Sequence, residues 1–216
     1  MNPPPREPTL DDVQNALNLP DFDYEHAWWR MVPRSRIMRR PPEKPGSARP
    51  AGVLLLMYPQ AECLHFVLTR RSEEVASHKG QISLPGGSQE VIDPAPIDTA
   101  LRETCEEIDV CQEDIRVVGA LTPLYVSVSD FVIHPFIGYM PERPTFRPAT
   151  VEVAEIIEVP LRDLIDPSVK TSERWTLHGT EMDVPFYRFG EHTVWGATAI
   201  ILSEFEGRLA VIMGIE

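Results

Sequence analysis

At 216 residues and 43% hydrophobic composition, the chain has enough apolar side chain for one sizeable core with an appendage, rather than two independent domains. A formal charge of −13 argues against broad contact with nucleic acid or an anionic membrane. An anionic substrate then needs a metal or a local basic patch. Three cysteines make no disulfide framework and suggest a reducing compartment. The N-terminus has no apolar signal segment, and the longest apolar run, Val53 to Tyr58, is far short of a membrane span. The expected location is the cytoplasm.

Ten of the 22 prolines fall in residues 1–50, which sets this part outside a compact sheet. Within it, Leu10 to Leu19 predicts a short helix capped by Thr9 or Asp11. Two readings stand for Arg30, Arg34, Arg36, Arg39 and Arg40: a solvated strap, or a bidentate phosphate or dimer contact. Trp28-Trp29 is read as the anchor of that strap, with adenine stacking as the other reading. Val53 to Tyr58 is a buried strand and Leu64 to Thr69 its partner, joined by Pro59-Gln60-Ala61-Glu62 as a hairpin turn. Ile82 to Leu84 is a short extended piece that leads into Gly86-Gly87. Asp93-Pro94 or Ala95-Pro96 opens a helix that ends near Asp109 to Cys111. Ile115 to Leu121, Phe131 to Tyr139 and Val151 to Val159 read as strands, with Ser127 to Asp130 as a loop. Pro160 to Ile165 is one helical turn, Trp175 to Leu177 with Val184 to Phe189 a late hairpin, and Gly196 to Phe205 a closing helix. Strands outnumber helices, and two main helices remain to cover them, which fits an α/β/α sandwich on a mixed sheet.

The helix over Arg102 to Val110 carries the chemistry. Glu103, Glu106 and Glu107 stand at i, i+3 and i+4 and share one face. Leu101, Thr104 or Cys105, and Ile108 take the other side and face a core. Like charges at that spacing repel, so a divalent cation is the natural compensation, and oxygen-only ligands suit Mg²⁺ or Mn²⁺. Metal-assisted hydrolysis of a phosphoanhydride follows from such a cluster.

Gly86-Gly87, Asp93, Arg102, Glu103, Glu106, Glu107 and Val110 resemble the Nudix box, Gly-x5-Glu-x7-Arg-Glu-U-x-Glu-Glu-x-Gly-U, where U is a bulky apolar residue. The match departs in four places. The loop before Arg102 is one residue longer, Asp93 replaces Glu, Thr104 replaces U, and Asp109 replaces Gly. Upstream, Leu68-Thr69-Arg70-Arg71-Ser72 and His78-Lys79-Gly80-Gln81-Ile82-Ser83-Leu84-Pro85-Gly86-Gly87 resemble the segment that marks coenzyme A pyrophosphatases. Ala76 stands there at a second Arg and Leu84 at a Phe. The likeness covers roughly residues 50–202.

The resemblance implies a Nudix-type fold, with a Nudix hydrolase domain at 49–216 behind a Pro/Arg-rich extension at 1–48. It implies cleavage of coenzyme A or acyl-CoA to adenosine 3′,5′-bisphosphate and 4′-phosphopantetheine. Glu103, Glu106 and Glu107 are the expected metal ligands and Arg102 the group that orients them; the base is one of these glutamates or Glu152 or Glu155, the last two also standing as extra ligands. Arg70, Arg71 and Lys79 are expected at the substrate phosphates, and Gly86 and Gly87 where the backbone comes close to the site. The expected partner is a small nucleotide, with no nucleic acid or membrane, and a homodimer is implied by the resemblance alone. Two alternatives stand beside this reading: an ADP-ribose or dinucleotide pyrophosphatase, and a Nudix-fold module without turnover, favoured by Asp109 and Ala76. Bland readings also stand: Arg70-Arg71 as surface charge, His78 as a loop residue, Cys105 as core, and Glu152 as facing solvent.

Overall fold

The computed structural model describes residues 6–34, 48–72, 80–177 and 179–215. The long central strand β1 (Arg49–Gln60) turns at Ala61-Glu62 into β2 (Cys63–Arg71). The turn is thus two residues, with φ of 48° at Ala61 and 65° at Glu62, and the strands run on through Gln60 and Cys63. That geometry needs positive φ at both central residues and matches the twist of the flanking strands. β3 (Ile82–Ser83) and β4 (Gly86–Ser88) follow, and then α3 (Pro96–Ile108), which comes after α1 (Leu10–Leu17) and α2 (Tyr24–Trp29) of the N-terminal part. β5 (Arg116–Ala120), β6 (Leu124–Val126), β7 (Phe131–Tyr139), β8 (Val153–Pro160) and the short helix α4 (Leu161–Ile165) come next. β9 (Lys170–Leu177), β10 (Thr180–Phe189), β11 (His192–Val194) and α5 (Gly196–Met213) close the chain.

Among the described residues, β3-β2-β1-β7-β5 run as one path, with β4 beside β1, β6 beside β7 and β8 beside β2. β1 and β7 are parallel and the other pairs antiparallel, so the sheet is mixed as expected. β1 alternates strictly. Leu54, Leu56 and Tyr58 turn to one face with Ala100, Leu101 and Ile108 of α3. Leu55 and Met57 turn to the other, with α5 and part of α1 and α2. Helices therefore cover both faces of the sheet. Gly52 permits the close approach of α3, since a Cβ there would run into the Pro96 carbonyl. β9, β10 and β11 form a separate three-stranded sheet, and its Phe189 meets Phe66 of β2 edge to face.

Several expectations are corrected. α2 buries Trp28, one of the two tryptophans read as the anchor, while Trp29 stays 51% exposed, and of the arginine cluster at 30–50 Arg30 is paired rather than simply solvated. Trp28 Nε1 donates to Glu204 at 3.0 Å, so it is a structural anchor. Arg30 is paired with Glu206 at 2.8 Å and donates to the Ser203 carbonyl at 3.0 Å. Arg36, Arg39 and Arg40 lie outside the described residues. α5 runs past Phe205 to Met213, because Glu204 and Glu206 are buried and paired rather than marking a polar end. β8 begins at Val153, since the amides of Glu152 and Val153 both turn back to the Ala149 carbonyl at 2.8 Å. Cys105 is partly exposed rather than core and is joined to Cys111 by a disulfide with Cα atoms 4.4 Å apart. The expectation of unpaired cysteines thus fails for two of the three. The helix end explains it: Asp109 takes φ 60°, ψ 35°, and this left-handed residue folds the chain back toward Cys105.

Glu204 is 1% exposed. It accepts from Trp28, from the Thr122 amide and hydroxyl at 3.2 and 2.9 Å, and from Arg208 Nε at 3.0 Å. One carboxylate thus joins the N-terminal helices, the β5–β6 loop and α5. Glu204→Ala leaves these donors buried and unpaired, and is expected to cost about 3–5 kcal/mol, read as a lower denaturation midpoint and a red-shifted tryptophan emission.

Candidate active site

The site is built on the exposed edge of α3. Ala95 caps the helix through its backbone, with the Asp98 carboxylate accepting from the Ala95 amide at 2.9 Å. Asp93 is free of the capping task and is 7% exposed. Its two oxygens accept from Arg102 Nε and Nη2 at 3.0 and 2.9 Å. The Glu90 amide at 2.9 Å and the Thr99 hydroxyl at 3.0 Å complete its shell. The Arg102 guanidinium is the main cause that holds Asp93 down at about 2, against the opposing effect of desolvation. A bidentate, charge-assisted pair of this kind fixes both partners in orientation. The remaining Arg102 nitrogen, Nη1, lies 3.0 Å from Glu103 Oε1 and 2.9 Å from Glu106 Oε2. One cation thereby holds three carboxylates in register.

The three glutamates of the helix are not equivalent. Glu106 is 59% exposed and Glu103 17%, whereas Glu107 is 3% exposed. Burial raises the Glu103 carboxyl above its ordinary value, with Arg102 opposing it. Burial, then the neighbouring charge of Glu103, pushes Glu107 up to about 8, against lowering by Arg71 and the Gly86 amide. Glu107 Oε1 stands 3.9 Å from Arg71 Nη1, too far for a hydrogen bond. Among the described residues, Glu107 Oε2 and Arg71 Nε have no hydrogen-bond partner. A second segment docks on the end of the helix, where Arg147 and Ala149 donate their amides to the Ile108 and Glu107 carbonyls at 3.1 and 2.9 Å.

β4 closes the other side. A Cβ at Gly87 would run into the Glu103 carboxylate, so a larger residue there would push that carboxylate out of its place against Arg102. Glu152 is exposed, and its carbonyl accepts from the Ser72 amide at 2.8 Å. Its carboxylate raises both Glu103 and Glu107, which brings it to the cluster rather than only into solvent.

Arg70 and Glu155 are elsewhere. Phe66 and Leu68 of β2 belong to the α5 face of the sheet and Val67 to the α3 face, so alternation puts Arg70 on the α5 side. There it pairs with its cross-strand neighbour Glu155 at 2.8 Å, whose other oxygen is 3.5 Å from His192. The register shifts between Arg70 and Arg71, and Arg71 turns to the α3 side. The structure thus brings Glu103, Glu106, Glu107, Arg102, Arg71, Gly86, Gly87 and Glu152 together, and leaves Arg70 and Glu155 outside. Lys79, His78 and Ala76 lie outside the described residues.

Asp93 was the residue that sequence reasoning passed over as a site member, although it stands at the first acidic position of the box. Asp109 keeps the helix end that Gly would make: it is left-handed, its amide bonds the Cys105 carbonyl at 3.0 Å, and its carboxylate meets Arg147 at 3.2 Å.

Among the described residues, no three His, Cys, Asp or Glu side chains converge as a ready-made cation site. The donor chemistry nevertheless fits a hard divalent ion. Two carboxyls are raised by burial and mutual charge, one buried oxygen has no donor among the described residues, and every donor group is a carboxylate oxygen.

The NUDIX domain model matches residues 46–178. The chain is 34% identical over 184 residues to "Uncharacterized Nudix hydrolase NudL" of Photorhabdus laumondii, spanning 83% of this chain and 96% of that protein. It is 31% identical over 195 residues to the protein of the same name in Klebsiella pneumoniae, spanning 89% and 95%. Among solved structures, a MutT/nudix family protein from Enterococcus faecalis aligns over 97% of this chain and 81% of its own, at 17% identity and a TM-score of 0.49. With the family model and the NudL relatives in agreement, the chain belongs to the Nudix family, as a hydrolase of the pyrophosphate bond in nucleoside diphosphate derivatives.

Proposed function

We propose that the substrate is coenzyme A or an acyl-CoA, cleaved to adenosine 3′,5′-bisphosphate and (acyl-)4′-phosphopantetheine with Mg²⁺ or Mn²⁺. The supporting observation is Arg71, the arginine of the upstream Leu-Thr-x-Arg-Ser segment. It lies 3.9 Å from the Glu107 carboxylate, and its Nε has no partner among the described residues. β3 and the chain before it hold this arginine in place: the Arg71 amide donates to the Gln81 carbonyl at 2.9 Å, and the Gly80 amide to the Arg71 carbonyl at 3.1 Å. A partly exposed guanidinium that reaches toward an acidic cluster without bonding it suits a phosphate oxygen between the two. ADP-ribose or a dinucleotide is the rival substrate.

In this reading Glu103, Glu106 and Glu107 hold the cation. When bound, it draws charge off the non-bridging phosphate oxygens and makes a water acidic enough to attack. Arg102, fixed by Asp93, keeps Glu103 and Glu106 aimed along one edge of the helix. Glu152, the exposed carboxylate beside Glu103 and Glu107, takes the proton of the water. Gly87 leaves room for Glu103, and Arg71 binds the phosphoryl group. Residues 49–216 make up the hydrolase domain, and residues 1–48 an extension whose helices brace α5. The proposed setting is the cytoplasm, with a small nucleotide as partner.

The test is hydrolysis of coenzyme A, acetyl-CoA, ADP-ribose, NADH and nucleoside triphosphates in Mg²⁺ or Mn²⁺, with products resolved by chromatography. Release of 4′-phosphopantetheine with the highest kcat/KM of the panel is expected. Glu103→Gln and Glu107→Gln should each lower kcat by about 100-fold or more, and Arg71→Ala should raise KM more than it lowers kcat. Preferential cleavage of ADP-ribose would overturn the choice of substrate.

A second expectation concerns pH. Glu107 is raised in the folded protein, so its contribution to stability is complete below the ordinary carboxylate value and is lost as pH rises through about 8. Without cation, the melting temperature should fall by about 5 °C or more between pH 5 and 8.5. Glu107→Gln should flatten that slope, as should saturating Mg²⁺. A slope unchanged in the variant would remove Glu107 as its source.

A further inference from the structure

The end of the catalytic helix carries a feature that hydrolysis does not use. Cys105 lies on α3 between Glu103 and Glu106, and Cys111 lies just past its end, with Cα atoms 4.4 Å apart and the sulfurs bonded. Both residues are partly exposed, so solvent reaches the pair. Cys63, the third cysteine, is a free thiol. The bond spans a turn whose pivot, Asp109, sits at φ 60°, a region that costs a non-glycine residue on the order of 1 kcal/mol or more. The same turn exposes the carbonyls of Glu107 and Ile108, on which the amides of Ala149 and Arg147 dock. Ala149 in turn receives the Glu152 amide at 2.8 Å. The cross-link, the last turn of α3 and the placement of Glu152 therefore share one short hydrogen-bonded path.

We propose that Cys105 and Cys111 form a reversible thiol–disulfide modification site that sets the activity of the hydrolase, the oxidised form being the more active. The oxidant is a low-molecular-weight disulfide such as glutathione disulfide. The Cys111 sulfur attacks one sulfur of that disulfide, forming a mixed disulfide and releasing one thiol. The Cys105 sulfur then attacks the Cys111 sulfur, forming the protein bond and releasing the second thiol. The two protons lost by the cysteines end on the two released thiols, and the protein loses two electrons that reduce the small disulfide. In the reduced protein the turn keeps the Asp109 amide bond, the Arg147 salt bridge, the docked segment and the buried Ile108 and Val110, but loses its covalent tie. The 147–152 segment then loosens from the helix, and Glu152 with it.

The test poises the full-length protein in glutathione buffers of graded ratio, counts free cysteines by alkylation and mass spectrometry, and measures hydrolysis and amide hydrogen exchange on the same samples. Coenzyme A serves as substrate, or ADP-ribose if that is what the enzyme cleaves. Reduction should free Cys105 and Cys111, lower kcat about five-fold with KM nearly unchanged, and speed exchange at Asp109, Arg147 and Ala149 about ten-fold; reoxidation should restore all three. Cys105→Ser and Cys111→Ser should stay at the reduced level in both buffers. The exchange readout needs no substrate, so failure of the coenzyme A assignment leaves it intact. A bond that forms and breaks with no change in rate or exchange would overturn the proposal, as would two cysteines that stay alkylatable in excess glutathione disulfide.

Discussion

Folding around a carboxylate that water cannot reach is the costly step in this structure. Glu107 is 3% exposed, faces two other acids, and has one oxygen without a donor among the described residues. An isolated buried charge of this kind is normally neutralised or paired. Here the nearest guanidinium stops 3.9 Å away, and the result is a carboxyl raised to about 8. The surroundings are arranged to hold it there. Leu101, Thr104 and Ile108 seat the helix on the sheet, and Gly52 lets it come close. The 147–149 segment covers its last turn, while Arg102 and Asp93 keep the neighbouring glutamates from relieving the repulsion by turning away. A carboxylate raised in this way, with one oxygen lacking a donor among the described residues, is suited to a divalent cation.

The opposite face of the sheet settles its buried charges in the usual way. Glu204 and Glu206 are as inaccessible as Glu107. Glu204 is met by Trp28, Thr122 and Arg208, and Glu206 by Arg30 and Lys170. These pairs weld the N-terminal helices and the second sheet to α5. The contrast within one protein separates a carboxylate that is a fixed structural joint from one that is kept available. Burial is the same in both cases, and the partners differ.

Much of this was legible in the residues. The apolar runs of β1 and β2, the excess of strands over helices, the glycine pair and the helix period around Arg102 predict the mixed sheet and the acidic helix edge. What the helix wheel does not contain is the inequality of its glutamates, because it arises from what packs on each: Glu107 is covered beside Arg71 and Gly86, while Glu106 is left in solvent. The separation of Arg70 from Arg71 was hidden too, since it follows from strand parity and a register shift at the sheet edge. Asp109 was the doubtful letter of the motif, and its left-handed conformation with an Arg147 partner shows how a non-glycine residue keeps the helix end. The cysteine pair is a consequence of that same turn, invisible to a count of cysteines. The closing helix is predicted from its inward apolar residues as far as Phe205, and the structure carries it on to Met213 with Glu204 and Glu206 buried and paired.

The central claim is that burial of Glu107 makes the site costly when empty and selective for a divalent cation when filled. Titration of Mn²⁺ followed by electron paramagnetic resonance, on the protein and on its Glu107→Gln variant, tests it most directly when paired with cation-free denaturation of both. The account predicts that Mn²⁺ affinity falls by about 100-fold in the variant while its cation-free stability at neutral pH rises. Unchanged Mn²⁺ affinity, or a variant less stable than the parent without cation, would contradict it.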